Sequence, residues 1–161
     1  MSVMAPEIRR AELSDVPVVG AMHAGVFAEL YPTVLSAEIF GQLSPAAMSS
    51  LWERFIGRGE RYVQWVAIEN GMIVGFAGTG PGREVGYEHA TELYFVVVAP
   101  GARRQRIGRE LMRVADADYL WVWEGNRDAQ KFYRKLKFYP DSVARDGSLF
   151  GAPLPEVRMS R

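Results

Sequence analysis

Cysteine is absent from the sequence, and this absence excludes several kinds of chemistry. Disulfides, thiolate nucleophiles, cysteine-ligated zinc and iron–sulfur clusters all depend on that residue. Histidine is scarce, and the two that are present, His23 and His89, form no spacing typical of metal ligands. No G-x-S-x-G motif is found, so a serine hydrolase is not indicated. The sequence therefore predicts no metal site and no nucleophilic hydrolase of these types.

An excess of charge of one sign is also lacking, because 19 basic residues are balanced by 19 acidic residues. Proteins that coat nucleic acids carry a basic excess, so we predict no nucleic-acid partner, although a local basic patch is allowed. No apolar run approaches the roughly 20 residues of a membrane span. The first ten residues lack the basic and apolar regions of a signal peptide. We therefore expect a cytoplasmic protein with no membrane partner.

A length of 161 residues and a hydrophobic content of 48% are typical of one globular domain, which we assign to residues 1–161. Residue patterns predict strands at 7–10, 62–68, 72–77, 91–98, 119–123 and 156–160. They predict helices at 14–30, 44–57, 107–115 and 126–136, with Ser14 and Ser44 as N-caps of the first two. The order β-α-α-β-β-β-α-β-α-β, with room for one more strand, predicts an α/β fold (α+β in some schemes) with a mixed central sheet.

The segment from residue 91 to residue 109 carries the clearest chemical signal. An apolar strand is followed by a turn and a helix start that hold Arg103, Arg104, Arg106 and Arg109. The N–H groups and the positive dipole end of a helix N-terminus bind anions. The pattern therefore favours a ligand with several negative charges, such as a pyrophosphate. A solvated basic helix face or a nucleic-acid patch would carry the same charges, so charge alone does not separate these alternatives.

A second segment distinguishes an anion-binding site from these alternatives. After a predicted strand, residues 126–138 follow the pattern N-x-x-A-x-x-F-Y-x-x-x-x-F. The first segment supplies an apolar strand ending in V-A-P at residues 98–100 and the loop R-R-Q-R-I-G at residues 103–108. With both motifs in this order, the chain resembles the GNAT superfamily of N-acetyltransferases over its whole length.

The sequence departs from the family pattern at three places. Arg106 replaces the first glycine of the phosphate loop, and Lys137 replaces the glycine before the last phenylalanine. The helix after Gly108 is about two turns shorter than in most relatives. We expect a short helix there and an Arg106 side chain that points outward, with a weakened phosphate site as the alternative.

The resemblance implies a GNAT fold, in which the central strand splays from its neighbour, and acetyl-CoA as cosubstrate. Free backbone groups of that strand would hold the pantetheine arm, the basic turn would cradle the pyrophosphate, and Asn126 would contact the arm or hold Tyr133. The residues expected to bind acetyl-CoA are Val96, Val97, Val98, Arg103, Arg104, Gln105, Arg106, Ile107, Gly108, Arg109 and Asn126.

The resemblance also implies two catalytic residues. Tyr133 matches the position of the usual general acid, which protonates the leaving thiolate; a role as a core aromatic is the alternative. Glu92 begins the central strand, where many relatives carry a glutamate that acts as base through water; a solvated strand-end acid is the alternative. Strand alternation predicts that Glu92, Tyr94 and Val96 share one face. Glu124, at the end of the next strand, is a rival base.

Acceptor specificity in this family comes from the first two helices, their connecting loop and the hairpin. The candidates for acceptor binding are Phe27, Glu29, Tyr31 and Trp65. We predict an enzyme that transfers the acetyl group of acetyl-CoA to a primary amine of a small molecule or a protein N-terminus by direct attack. The alternative is a non-catalytic acyl-CoA-binding regulatory module. A homodimer and the identity of the acceptor are left open.

Overall fold

The computed structural model describes residues 4–103 and 106–161. The strands are β1 (Glu7–Arg10), β2 (Val63–Glu69), β3 (Met72–Pro81), β4 (Thr91–Val98), β5 (Tyr119–Trp123), β6 (Tyr139–Leu149) and β7 (Ala152–Ser160). The helices are α1 (Val16–Leu30), α2 (Ala37–Gln42), α3 (Pro45–Phe55), α4 (Ile107–Ala115) and α5 (Arg127–Lys135). Short 3-10 turns occupy Leu13–Asp15 and Pro100–Ala102.

The strands form one sheet in the order β1-β2-β3-β4-β5-β7-β6. β4 and β5 are parallel, and every other neighbouring pair is antiparallel. The parallel pair needs a crossover connection, which α4 provides. The predicted mixed sheet of an α/β fold is confirmed. The short helix expected around residue 108 is α4, which has nine residues.

Helices cover both faces of the sheet. On the face that we call the α1 face, α1 and α3 pack over the central strands through a cluster that includes Val19, Trp52 and Phe76. On the opposite side, the α4 face, α4 packs on β2 and β3 through Ile107 and Leu111. α5 lies on the α4 face as well, against β4, β5 and β7. A side chain on the sheet therefore faces one helical layer or the other.

The start of α1 differs from its prediction. Ser14 does not cap the helix, because a 3-10 turn precedes α1 and the buried Asp15 lies at its N-cap position. The Asp15 carboxylate accepts two hydrogen bonds from Arg9 in β1, at 2.7 and 2.9 Å, and one from the backbone N–H of Glu12. By contrast, the Ser44 hydroxyl accepts from the N–H of Ala47, so the predicted cap of α3 is confirmed.

Two elements have no counterpart among the segments predicted individually. α2 spans six residues after its cap Ser36, which is too short for a helical period to emerge. β6 is an edge strand with mostly exposed side chains and includes Pro140 and Gly147. Its strand conformation comes from pairing with β7 rather than from its own hydrophobic pattern.

The described residues contain no helix long and apolar enough to cross a membrane. Within the same ranges, no group of three or more histidine, aspartate or glutamate side chains is placed to hold a metal ion.

Candidate active site

The centre of the sheet opens into a gap between two parallel strands. β4 and β5 pair only at Glu92 with Tyr119 and at Leu93 with Leu120. Beyond those residues β4 continues alongside β3 and β5 continues alongside β7. The strands therefore splay apart, as the predicted fold requires.

A β-bulge lies at the point where the strands part. Gly78 pairs with Phe95 and Thr79 pairs with Leu93, so Tyr94 is the extra residue. The predicted sharing of one face by Glu92 and Val96 is therefore wrong. Glu92 contacts Tyr119, whereas Val96 packs on the α4 face with the same cluster as Leu93. Bulges recur next to active sites because they redirect a strand's side chains.

Beyond the bulge, alternate backbone groups of β4 point into the gap. The Ala99 N–H donates to the Val74 carbonyl of β3 at 2.8 Å. In an antiparallel ladder this direction repeats every second residue, so the groups of Val97 also point toward β3. Those of Val96 and Val98 point the other way, toward β5. Of the three valines expected to hold acetyl-CoA, these two therefore direct backbone groups toward the gap, where the Val98 carbonyl accepts a hydrogen bond from Arg103 Nε at 3.3 Å.

The turn before α4 adopts the backbone shape that a glycine loop would favour. Arg106 has φ of 66° and ψ of 4°, in the left-handed region, and its side chain is exposed as expected. Gly108 lies under α5, since a Cβ atom there would be 3.1 Å from the ring of Phe132. Arg104 and Gln105, both expected to bind acetyl-CoA, lie outside the described residues.

The other residues expected at the pyrophosphate site point in different directions. Ile107 is buried in the core, so only its backbone can face a ligand. Arg109 lines a cavity of about 220 Å³ between α4 and the end of α5, together with Phe138 and Arg161. Arg103 pairs with Glu29 of α1, with nitrogen–oxygen distances of 2.5 and 3.3 Å. A residue expected to bind the cosubstrate and one expected to bind the acceptor thus meet each other.

Helix α5 is fixed at both ends. The Asn126 side chain accepts a hydrogen bond from the N–H of Ala129 and caps the start of the helix. At the other end, Lys137 has φ of 71°. The N–H of Lys137 donates to the Arg134 carbonyl, and the N–H of Phe138 donates to the Tyr133 carbonyl. This pair of bonds is a Schellman motif, whose left-handed residue is usually glycine.

Tyr133 projects from α5 into the core beside the gap. It packs in one cluster with Leu93 of β4 and Val122 of β5 and is 8% exposed. Burial, reinforced by the nearby Tyr31, raises the pKa of the Tyr133 hydroxyl well above its ordinary value of 10. The hydroxyl therefore keeps its proton throughout the neutral pH range.

Glu92 is fully buried and surrounded by donors. Arg83 donates to the carboxylate from its backbone N–H, from Nε and from a terminal nitrogen, at distances between 2.6 and 3.2 Å. The Tyr119 hydroxyl donates at 3.1 Å. These donors occupy lone pairs that a general base would use. The rival Glu124 is exposed at the end of β5.

The acceptor candidates divide between the two faces of the sheet. The Tyr31 ring lies between Phe27, at 5.6 Å, and Trp123 at the end of β5, at 5.4 Å. Burial and the charge of Glu156 raise the pKa of Tyr31 to about 12. Trp65 packs on the α4 face instead, so the structure does not bring it to the same place as Phe27 and Tyr31.

Two residues near Tyr31 were missed by sequence reasoning. Trp123 was predicted only as part of a strand, and Glu156 belongs to a tail segment that carried no motif. The two are register partners on β5 and β7. Alternation along β5 would place Trp123 on the face opposite the buried Val122, but no local signal says which helix covers that face.

The match to a family model follows this geometry. The model for the acetyltransferase (GNAT) domain matches residues 60–140, from just before β2 to the start of β6. The chain belongs to the GNAT acetyltransferase family. Its predicted identity as an acetyltransferase is confirmed, and acetyl-CoA is the expected cosubstrate of this GNAT protein. None of the curated proteins compared with the chain matches it significantly.

Solved structures of GNAT acetyltransferases share its fold. The ribosomal-protein-alanine N-acetyltransferase of Brucella melitensis is 25% identical, over 96% of this chain and 98% of that one, with a TM-score of 0.68. The paia N-acetyltransferase of Thermoplasma acidophilum, solved with coenzyme A, is 17% identical over 98% and 100%, with a TM-score of 0.70. The ribosomal-protein-S18-alanine N-acetyltransferase of Escherichia coli is 22% identical over 96% and 91%, with a TM-score of 0.63.

Proposed function

We propose that the chain transfers the acetyl group of acetyl-CoA to a primary amine, of a small molecule or of a protein N-terminus, by direct attack. The observation that carries this proposal is the separation of β4 from β5 beside the buried residue Tyr133. Such a gap offers backbone partners to an extended ligand and places a proton donor next to them. The N-acetyltransferases among the structural relatives support an amine as acceptor.

The residues around the gap fit acetyl-CoA. Val96 and Val98 turn peptide groups toward the space where the pantetheine arm would lie. The N–H groups at the start of α4, with Arg106 beside them, suit a pyrophosphate. Gly108 lets α4 and α5 approach closely at the same point. When bound, acetyl-CoA supplies an activated thioester, and its thiolate leaves as the acetyl group is transferred.

Tyr133 is the proposed general acid. Its high pKa keeps the hydroxyl protonated at neutral pH, and a thiolate forming beside it would take that proton. Asn126 supports this role at a distance, because the cap it makes fixes the start of the helix that carries Tyr133.

Glu92 is the proposed base, and its contacts set a condition for that role. A primary alkylammonium has a pKa near 10 and must lose a proton before it can attack. Glu92 can accept that proton only after Arg83 has released part of its carboxylate. The Arg83 side chain is 56% exposed, so it has solvent into which it can turn.

The proposal predicts a specific effect of Tyr133→Phe. The ring and its packing remain, but the proton for the thiolate is lost, so kcat should fall by roughly 10²–10⁴-fold. The KM for acetyl-CoA should stay near the wild-type value, because the lost interaction belongs to the transition state. The assay is thiol release from acetyl-CoA with a panel of primary amines.

A matched control is Tyr139→Phe, since Tyr139 is 49% exposed and should lose no activity. If Tyr133→Phe turns over as fast as wild type, water supplies the proton and the tyrosine is structural. If acetyl-CoA binds by calorimetry but no amine releases thiol, the chain is a non-catalytic acyl-CoA-binding module and the proposed function is wrong.

A further inference from the structure

One carboxylate and two indole side chains share the α1 face of β5 and β7. Trp121 and Trp123 are two residues apart on β5 and therefore point to the same side. Glu156 of β7 is the register partner of Trp123, and Arg145 of β6 is the register partner of Glu156. This arrangement combines the two groups that proteins use to bind organic cations, namely a carboxylate and aromatic faces.

The structure already places a cation in this arrangement. The Arg145 guanidinium lies 4.1 Å above the centre of the Trp121 ring. Its Nε and one terminal nitrogen each donate to Glu156 Oε1 at 3.2 Å. Both distances exceed the 2.7–2.9 Å of strong charge-assisted hydrogen bonds, and the Arg145 side chain is 36% exposed. The chain's own arginine thus shows that a cation fits between the carboxylate and the indole ring, and its partly exposed side chain has solvent into which it can turn.

Tyr31 connects this cation site to the reaction centre. Its ring lies 5.4 Å from that of Trp123. The charge of Glu156 contributes to the raised pKa of Tyr31, and Tyr31 contributes to the raised pKa of Tyr133. Trp123 lies in the part of β5 that has separated from β4, so this cation site borders the gap.

We propose that Glu156, with Trp121 and Trp123, binds a second positive charge on the acceptor in place of Arg145, which makes amines with an additional cationic group the preferred substrates. This inference rests on the proposed function. The reacting amine must be neutral when it attacks, so it cannot itself provide the charge that Glu156 recognises. A second ammonium or guanidinium group on the same molecule keeps its charge throughout the reaction.

The experiment compares diaminobutane with aminobutanol, which has the same length but only one amine. Wild type should show a kcat/KM for diaminobutane at least about tenfold above that for aminobutanol, equivalent to about 1.4 kcal/mol. In Glu156→Gln the two values should become similar. Binding of acetyl-CoA, measured by calorimetry, should not change, because Glu156 is not among the residues proposed to bind acetyl-CoA.

Arg145→Gln is the matched variant, since it breaks the same ion pair from the other side. It should lower the KM for diaminobutane, because the competing internal cation is gone, whereas Glu156→Gln should raise it. If the ion pair only stabilises the hairpin, both substitutions will change melting temperature and KM in the same direction. That result, or a wild type without preference for the diamine, would overturn the inference.

A direct binding measurement separates this inference from the proposed function. Diaminobutane is titrated by calorimetry into each protein saturated with CoA. Binding by wild type that is lost in Glu156→Gln supports the cation site even if no amine is acetylated. Acetylation of aminobutanol and diaminobutane with equal efficiency supports the proposed function and refutes the cation site.

Discussion

His23 allows a prediction about stability and pH, because it is buried deep in the α1 layer and burial is the cause of its pKa shift. The imidazole is 6% exposed, stacks on Phe27 with centroids 4.7 Å apart, and meets the edge of the Phe76 ring at 5.3 Å. Burial lowers the pKa of His23 from 6.5 to about 4. Trp52 Nε1 donates to His23 Nδ1 at 3.1 Å, so protonation at Nδ1 would also break that bond.

The size and sign of the effect follow from the difference in pKa between folded and unfolded chains. The unfolded chain takes up the proton as the pH falls through 6.5, while the folded chain resists until about pH 4. The contribution of His23 to the free energy of unfolding is therefore complete above pH 6.5 and is lost on acidification. With 1.36 kcal/mol for each pKa unit, the loss is about 2 kcal/mol at pH 5 and about 3 kcal/mol at pH 4.

The assay is urea unfolding at pH 8 and pH 5 for wild type and two variants. His23→Gln keeps an acceptor for Trp52 Nε1 but cannot titrate, so it should lose about 2 kcal/mol less than wild type between the two values. His89→Gln removes the exposed histidine and should behave like wild type. Because carboxylates contribute equally in all three proteins, the comparison isolates His23.

The reasoning is refuted if His23→Gln and wild type lose the same free energy on acidification. Equal losses would mean that the folded chain protonates His23 as readily as the unfolded chain, so burial in the aromatic cluster would not exclude the charge. A lower stability of His23→Gln at both pH values is a separate packing effect and leaves the difference between pH 8 and pH 5 informative.

Two further predictions concern backbone strain and a buried amide. Arg106→Gly should raise stability by about 1 kcal/mol, because it relieves a left-handed residue, and should leave CoA affinity unchanged or tighter. Lys137→Gly is the control and should give a similar gain in melting temperature with no effect on CoA binding. If Arg106→Gly alone loses tenfold in CoA affinity, the Arg106 side chain itself binds a phosphate group. Gln64→Met should raise the free energy of unfolding by about 1 kcal/mol, because Gln64 Nε2 is buried without a hydrogen-bond partner among the described residues. If urea unfolding instead shows a lower free energy of unfolding, the Gln64 amide is hydrogen-bonded in the folded protein.

Local signals in the sequence were sufficient for the elements that build the gap. β4 and β5 have the bounds predicted for them, and α4 begins at the predicted residue. Apolar β-branched runs, a capping asparagine and turn residues act between neighbours in the chain, so they can be recognised without knowledge of the fold. The two missing glycines were also visible in the sequence, and both positions, Arg106 and Lys137, are left-handed in the structure.

Contacts between segments that are distant in the sequence could not be predicted from these local signals. The bulge at Tyr94 depends on the pairing of β4 with β3, and it moves Val96 to the face opposite Glu92. Glu29 and Arg103 had each been considered for a different ligand, but the fold brings them together although they are 74 positions apart in the sequence. A side chain's charge can be read from the sequence, but its partner is chosen by packing.

By itself, the sequence determined a mixed sheet, a basic turn at a helix start, and the two motifs that indicate acetyl transfer. Only the tertiary structure decided which backbone groups of β4 face the gap, how Glu92 is held, and which residues surround Tyr31. The physical reason is range: helix and strand signals act over a few residues, whereas the site is made where β4, β5 and β7 meet α1 and α5. Glu156, in a tail with no motif, becomes part of the proposed acceptor region only because β7 pairs with β5.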